Sequence, residues 1–457
     1  MPVTPLYRSL FELCRRQINA DKEFLLFKNW FTTPKVDMEI FEEYRLFKLR
    51  RTLAYVAQHS RFYKRLFAES GIEPEEIRTI ADLAVLPFTS AEEIAADPYA
   101  FLCTSQGMVE RAITFTSSGT VGPQKRVFFS EPDIEAMTDY MAVGIKTVAD
   151  SSDVVQILLP EGPVMGQCDL LARGVCKMGA RPVITGLFIP PEMQIQAIRD
   201  NGSTVLFGET HLIYRITKMM ESKYNLRELG IRALFLTTSY ASEEMINYLH
   251  QAWNAQISTH YGLTEMGLGL AVGCPGCGYN HFNELDVIGE VIDPVTGKSL
   301  APGSIGELVF TTIQREAMPL IRYRTKDRAL LGEPSESCGS PLRTLGAVKY
   351  RVESLVPFCD GAFIYPTLFH NSLFKIPEIV DYDLSVNTLA GKDMLIFDIE
   401  AFEPEDCLRQ RILESIHENQ FIQSFKPSEF KICVNFKTLG ELKQGAHFKK
   451  VVKDLRQ

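Results

Sequence analysis

No stretch of this 457-residue sequence stays apolar long enough to span a bilayer, so a membrane-embedded fold has no support. A basic surplus is missing too: 48 lysines and arginines stand against 57 aspartates and glutamates, a formal net charge of −9. Gripping a nucleic-acid backbone needs a basic face, so nucleic acid is excluded as the main partner. The N-terminus, MPVTPLYRSLFELCRRQ, lacks the charged-then-apolar build of a signal peptide, and the expected location is the cytoplasm. No internal repeat and no low-complexity tract is present. Neither a G-x-S-x-G elbow nor a Ser-His-Asp arrangement occurs, which leaves a hydrolase of that kind unsupported. The ten cysteines are scattered rather than framed as in a small secreted domain, which points to free thiols or metal ligands instead of disulfides.

What is present is ordinary globular composition and enough length for two or more domains. Residues 1–90 read as helical, with EEYRLFKLRRTLAYVAQHSRFYKRLF carrying apolar residues at helical spacing. Between 110 and 260, short apolar runs (VVQILLP, RPVITG, STVLFG, IRALFLTTS, AQISTHYG) alternate with helical stretches such as EEMINYLHQAW. This alternation predicts an α/β fold with a mostly parallel sheet, whose ligands sit at the carboxyl ends of the strands. From about 285 the texture turns antiparallel, with turns at Pro294–Gly297 and Pro302–Gly303. SESCGSPLRTLG reads as a linker, and the last hundred residues carry their own strand and helix signals. The expectation is a large N-terminal α/β domain over 1–347 with a β-rich subdomain, and a small α+β C-terminal domain over 348–457.

Two local patterns suggest chemistry. Thr116 to Lys125 read TSSGTVGPQK, after the strand-like VERAITF and before the helix start SEPDIEAM. A loop rich in Gly, Ser and Thr can turn backbone N–H groups toward an anion, and Lys125 adds a mobile cation, so the implied ligand is a polyphosphate. No Gly-Lys-Ser/Thr closes the loop, which argues against a P-loop kinase or GTPase. The second pattern is GCPGCGYNHFNE, where Cys274 and Cys277 form a C-x2-C knuckle. His281 and Cys338 can complete a tetrahedral zinc site with them; the alternative is a pair of free thiols in a Gly-rich turn.

Four segments in order, TSSGTVGPQK, HYGLTEMG (260–267), AMPLIRYRTKDRA (317–329) and KYRVESLVPFCDGAFIYP (349–366), together with HSRFYKRLFAESGI and ADLAVLPFTS upstream, resemble the adenylate-forming enzymes, in their phenylacetate–coenzyme A ligase branch. The resemblance runs from about residue 45 to the C-terminus. It implies attack of a small or aromatic carboxylic acid on the α-phosphorus of ATP, then displacement of AMP by a thiol, usually that of coenzyme A. A carrier-protein thiol, an amine or a phenol is an alternative acceptor, a nucleotide-holding homologue without turnover is an alternative function, and relatives are often homodimers. By this resemblance Ser117, Ser118, Gly119, Thr120, Gly122 and Lys125 hold the β- and γ-phosphates. Glu265 is the magnesium ligand, Thr264 bonds the α-phosphate, and Tyr261 and Gly262 lie near the adenine, as do Ser239 and Tyr240 in the segment from Thr237. Asp327 takes the ribose hydroxyls, Arg351 and Glu353 mark the hinge, and Phe207 to Thr210 line the acyl pocket, with His260 as a pocket-wall or core histidine.

The sequence also departs from the family pattern. Val121 replaces a threonine, Pro123 and Gln124 are swapped, Lys326 and Tyr350 replace glycines, and Phe363 sits where relatives often have asparagine. At the C-terminus, LKQGAHFKKVVKD places His447 where relatives have the lysine that bridges carboxylate and α-phosphate, with Lys443 and Lys449 flanking it. Histidine is only partly charged at neutral pH, so this substitution bears on the rate of adenylation. Cys103, Cys168, Cys176, Cys359, Cys407 and Cys433 are isolated and read as buried filler.

Overall fold

The computed structural model describes residues 4–115, 124–161, 165–442 and 450–456. The N-terminal part is helical: α1 (Pro5–Ala20), α2 (Lys22–Phe27), α3 (Met38–His59), α4 (Arg61–Ser70) and, after two short turns of helix, α5 (Ala91–Ala96). The helical stretch expected over 42–67 is cut at Ser60. That residue leaves α3 with extended backbone, and its hydroxyl caps α4 by accepting from the Tyr63 N–H. An antiparallel hairpin follows, β1 (Arg111–Phe115) with β2 (Lys125–Phe129). Ser130 and Asp133 then form a capping box that starts α6 (Glu131–Ile145).

The alternating segment forms as the sequence predicts: β3 (Val154–Leu158), α7 (Gln167–Lys177), β4 (Arg181–Ile184), α8 (Pro191–Asn201), β5 (Val205–Glu209), α9 (Thr210–Met220), β6 (Ala233–Thr237), α10 (Glu243–Trp253) and β7 (Gln256–Tyr261). These strands are parallel in the order β4-β3-β5-β6-β7. The sheet then continues antiparallel through β8 (Ala271–Gly273) and β9 (Asn280–Phe282), and at its far end β10 (Val287–Ile292), β11 (Ile305–Thr312) and β12 (Tyr323–Pro334) form a meander. The segment expected to be a linker is instead built into this sheet. Its β13 (Arg343–Leu345) pairs with β12 on one side and β9 on the other, and Cys338, Ser340 and Leu342 before it are buried. Ser, Gly and Pro content marks turns, and here the turn leads into a short strand that pairs with β12 just before it and with the more distant β9.

β14 (Tyr350–Arg351) pairs with β12, and β15 (Val356–Phe358) forms a hairpin with β16 (Ala362–Ile364). After α11 (His370–Phe374), a second sheet is built from β17 (Ile379–Leu389), β18 (Lys392–Ala401), β19 (Phe430–Lys437) and β20 (Val452–Asp454) in the order β19-β18-β17-β20, with α12 (Asp406–His417) between β18 and β19. One apolar core joins the N-terminal helices to the first sheet. A second is shared: Leu212, Tyr214 and Trp253 from α9 and α10 pack with Phe369, Tyr382 and Phe397 from the C-terminal part. A buried ion pair, Arg215 with Glu400, crosses the same interface. Among the described residues, no helix is long and apolar enough to cross a membrane.

Candidate active site

The carboxyl ends of β5, β6 and β7 open into a cavity of ≈ 580 Å3 whose other walls come from β12, β14 and the C-terminal residues. Lys125, the first residue of β2, reaches into it almost fully buried. Its Nζ donates to Glu265 Oε1 at 2.5 Å and to the Tyr323 hydroxyl at 3.2 Å, and Tyr323 in turn donates to the same Oε1 at 2.7 Å. Glu265 follows β7 in a tight turn that doubles back so closely that a Cβ on Gly262 would lie 1.6 Å from the Leu268 carbonyl oxygen. No side chain fits there, which explains the glycine in YGLTE. Burial alone would raise the Glu265 carboxyl; the charge and hydrogen bonds of Lys125, helped by Tyr323, outweigh it and hold the group below the usual carboxylate range.

A second carboxylate also pairs with a tyrosine hydroxyl and a cation. Asp327 accepts from the Tyr261 hydroxyl at 2.6 Å on Oδ2 and from Arg351 Nε at 2.7 Å on Oδ1. The β12–β14 register sets Arg351 directly opposite Asp327. Lys326, next to it, has a backbone φ of 61°, in the left-handed region that glycine adopts without strain. Its ammonium spans Glu92 (2.6 Å) and Glu353 (2.5 Å), interactions that a glycine cannot make.

At the end of β6, Thr238 has φ 73°, a strained value for a β-branched residue. The Ser239 N–H bridges it by donating to the Thr237 carbonyl at 2.9 Å. This turn aims Ser239 and Tyr240 into the cavity. Ser239 Oγ donates to Glu209 Oε1 at 2.5 Å, and the Leu212 N–H donates to Oε2 at 2.7 Å. Burial pushes the Glu209 carboxyl up to about 7. Of the segment Phe207 to Thr210, Phe207 walls a small apolar cavity and Glu209 lines the larger one. Gly208 faces β3, where a Cβ would meet Leu158 at 2.7 Å, and the Thr210 hydroxyl is spent on the Thr237 and Ser239 carbonyls. That small apolar cavity lies between α6 and the sheet and is walled by Tyr140, Gly144, Phe207, Phe235 and His260. The His260 Nδ1 lies 2.8 Å from Thr237 Oγ1, and burial lowers its pKa to about 4, so the ring is neutral.

A family model described as AMP-binding enzyme matches residues 56–314, more than half of the chain. The chain belongs to the AMP-binding enzyme family. Phenylacetate-coenzyme A ligase of Thermus thermophilus is 26% identical over 404 residues, covering 84% of this chain and 88% of that one. The Pseudomonas putida phenylacetate-coenzyme A ligase is 27% identical over 376 residues, 79% and 82% of the two chains. Among solved structures, 2-hydroxyisobutyryl-CoA ligase in the postadenylation state with 2-HIB-AMP superposes with a TM-score of 0.79 at 18% identity, over 91% of this chain and 90% of that one. The same ligase with CoA in the thioesterification state gives 0.64 at 19% identity over the same shares. The fold is that of the adenylate-forming enzymes.

In this AMP-binding enzyme, Lys125, Ser239, Tyr240, Tyr261, Gly262, Thr264, Glu265, Asp327 and Arg351 all line the one cavity. Ser117, Ser118, Gly119, Thr120 and Gly122, and at the other end Lys443, His447 and Lys449, lie outside the described residues. Tyr323 and Lys450 were not legible as site residues. Tyr323 sits inside the quoted RYRT motif, but nothing in sequence ties its hydroxyl to Glu265, 58 residues away. Lys450 lines the cavity while paired with Asp381 at 2.6 Å and Asp383 at 3.4 Å.

The four expected zinc ligands converge. The ligand atoms of Cys274, Cys277, His281 and Cys338 lie within 4.8 Å of one another. His281 Nε2 is 3.6 Å from Cys277 Sγ and 3.4 Å from Cys338 Sγ. Its Nδ1 is 3.0 Å from the Arg343 carbonyl, which can only accept, so Nδ1 carries the hydrogen and Nε2 presents its lone pair to the sulfurs. Of the isolated cysteines, Cys103 and Cys168 are buried as expected, but Cys176 and Cys407 are exposed, and Cys359 and Cys433 are half-buried. A single cysteine carries no periodicity from which burial can be read.

Proposed function

We propose that this chain is an ATP-dependent, AMP-forming ligase that activates a carboxylic acid as its acyl-adenylate and transfers the acyl group to coenzyme A. The observation that carries the proposal is the joining of a buried Lys125–Glu265 pair and a buried Asp327 paired with half-buried Arg351 in one cavity, with an adjoining apolar pocket walled by a neutral histidine. The acid's tail enters the apolar pocket, which favours a compact or aromatic group. Its carboxylate attacks the α-phosphorus and pyrophosphate leaves; a thiol sulfur then attacks the acyl carbon and AMP leaves. Lys125 and the loop of Ser117, Ser118, Gly119, Thr120 and Gly122 stabilise charge on the departing pyrophosphate. Thr264 bonds the α-phosphate, Asp327 and Arg351 the ribose, and Ser239, Tyr240, Tyr261 and Gly262 frame the adenine.

Magnesium suits Glu265, a buried, ionised, hard carboxylate facing the cavity. When bound, it would neutralise phosphate charge. Zinc suits the cysteine–histidine cluster, since roughly 3.5–3.8 Å between ligands is what tetrahedral zinc–sulfur and zinc–nitrogen bonds require. Its role would be structural, and one zinc per chain in protein purified without chelator tests it. The ammonium bridging carboxylate and α-phosphate comes from the tail, from Lys449 or Lys443, or as a partly charged imidazole from His447. Residues 348–457 reorient between the half-reactions; the two TM-scores against one ligase in two states support this. The thiol chemistry of ten free cysteines suits the cytoplasm.

The test is pyrophosphate release with a panel of aromatic and short-chain acids, followed by coenzyme A consumption. Acid-dependent release with AMP formed in equal amount is expected. Release without coenzyme A consumption assigns a carrier-protein thiol, amine or phenol as acceptor. No release, with ATP or AMP still raising the melting temperature, assigns a nucleotide-binding protein instead.

A further inference from the structure

Tyr323 has no role in the reaction just proposed, yet it touches both residues that matter most to it. Its hydroxyl accepts from Lys125 Nζ at 3.2 Å and donates to Glu265 Oε1 at 2.7 Å, the same oxygen on which Lys125 lands at 2.5 Å. The two donors differ in kind. Lys125 is a cation on a long flexible stem. Tyr323 is a rigid neutral donor whose ring is 2% exposed. Its backbone is locked on both sides: Thr89 donates to the Arg322 carbonyl at 3.0 Å, Arg324 donates to the Thr89 carbonyl at 2.9 Å, and Phe310 of β11 is its ladder partner. Burial, and after it the charge of Glu265, keep the hydroxyl protonated far above neutral pH, so it remains a donor.

We infer that Tyr323 is a positioning residue, holding the Glu265 carboxylate ready for a divalent cation while Lys125 moves from that carboxylate to the polyphosphate. The inference rests on the proposed ATP-dependent reading. Lys125 cannot neutralise Glu265 and grip phosphate at full strength together. When it leaves, a carboxylate that is 3% exposed loses its counter-charge, and an unpaired buried charge is costly. Tyr323 is the partner that stays, so the incoming cation meets an oxygen already held in place. Asp327 is arranged differently: Tyr261 and Arg351 occupy opposite oxygens, so departure of Arg351 frees one oxygen completely. At Glu265 the tyrosine and the departing cation share one oxygen.

The experiment uses Mn2+ as the probe, with Mn2+·ATP binding followed by electron paramagnetic resonance on the full chain and on Tyr323→Phe. The variant should bind Mn2+·ATP about tenfold more weakly, the worth of one hydrogen bond to a charged group, and metal-free ATP within about twofold of the parent. In pyrophosphate exchange its half-saturating Mg2+ should rise by a similar factor, with turnover at saturating Mg2+ falling less than about threefold. Equal Mn2+·ATP affinity in the two proteins overturns the inference. So does an equal loss for metal-free ATP, which marks a general collapse of the site. If neither protein binds Mn2+·ATP while both melt cooperatively, the ATP reading itself fails, and this inference with it.

Discussion

Glu265 and Glu209 face the same cavity, are buried to the same degree, and each accepts a hydrogen bond from a hydroxyl, Tyr323 in one case and Ser239 in the other. Their carboxyls nevertheless move in opposite directions. Glu265 is held below the usual carboxylate range, whereas Glu209 is pushed up to about 7. Burial raises both, and both receive hydrogen bonds. The difference is Lys125, which pairs with one and not the other. A single cation thus divides a carboxylate kept ionised, as a hard-metal ligand must be, from one half-neutral near physiological pH.

Removing that cation should have the largest effect. Lys125→Met leaves Glu265 in the situation of Glu209, and pyrophosphate exchange should fall by roughly 100- to 1000-fold. The surviving activity should gain an acid limb as the Glu265 pKa climbs; a pH-independent residue of activity would break the comparison. Next, Arg351→Met strips the cation from Asp327 while Tyr261 stays. The KM for ATP should rise about tenfold with a smaller change in kcat. An equal fall in both would place Arg351 in the chemical step instead.

Glu209→Gln tests the other side of the contrast through stability. A carboxyl raised in the folded state contributes fully below its unfolded pKa of about 4.5, and that contribution is lost as pH rises toward 7. In denaturant titrations the variant should match the parent near pH 4 and be more stable at pH 8, by on the order of 3 kcal/mol. Glu265 runs the other way: its contribution is present above pH 4.5 and fades as pH falls below it. The smallest effect belongs to Thr238→Gly, which relieves the left-handed turn beside Glu209. A gain of about 1 kcal/mol is expected, offset in part by the added freedom of the unfolded chain.

The elements that were legible in sequence are those whose signal is local. The parallel block from β3 to β7 announces itself by apolar runs ending in Gly, Pro, Ser or Thr, and the hairpin of β10 and β11 by its turns. The cysteine–histidine cluster was legible through C-x2-C, although Cys338 lies 57 residues beyond His281. What sequence withheld depends on distant pairing. β13 looks like a linker because it is only three residues long, follows a Ser-, Gly- and Pro-rich turn, and has one of its two partners, β9, well upstream. The break between α3 and α4 falls on one serine inside a continuous helical period. Tyr323 was hidden within its own motif, since a tyrosine opening a buried strand reads as core until its hydroxyl partner is seen. Lys326 is a middle case: the departure from glycine was plain in sequence, while its left-handed backbone and its bridge from Glu92 to Glu353 were not.

The short strand β13 has a mechanical consequence. The meander of β10, β11 and β12 joins the rest of the large sheet through these three residues, with three register pairs on one flank and two on the other. The Arg343 carbonyl within that seam also steadies the ring of His281. Disturbance of the thiol cluster, by oxidation or by loss of an ion, therefore bears directly on a narrow joint of the sheet, one strand away from Asp327 on β12.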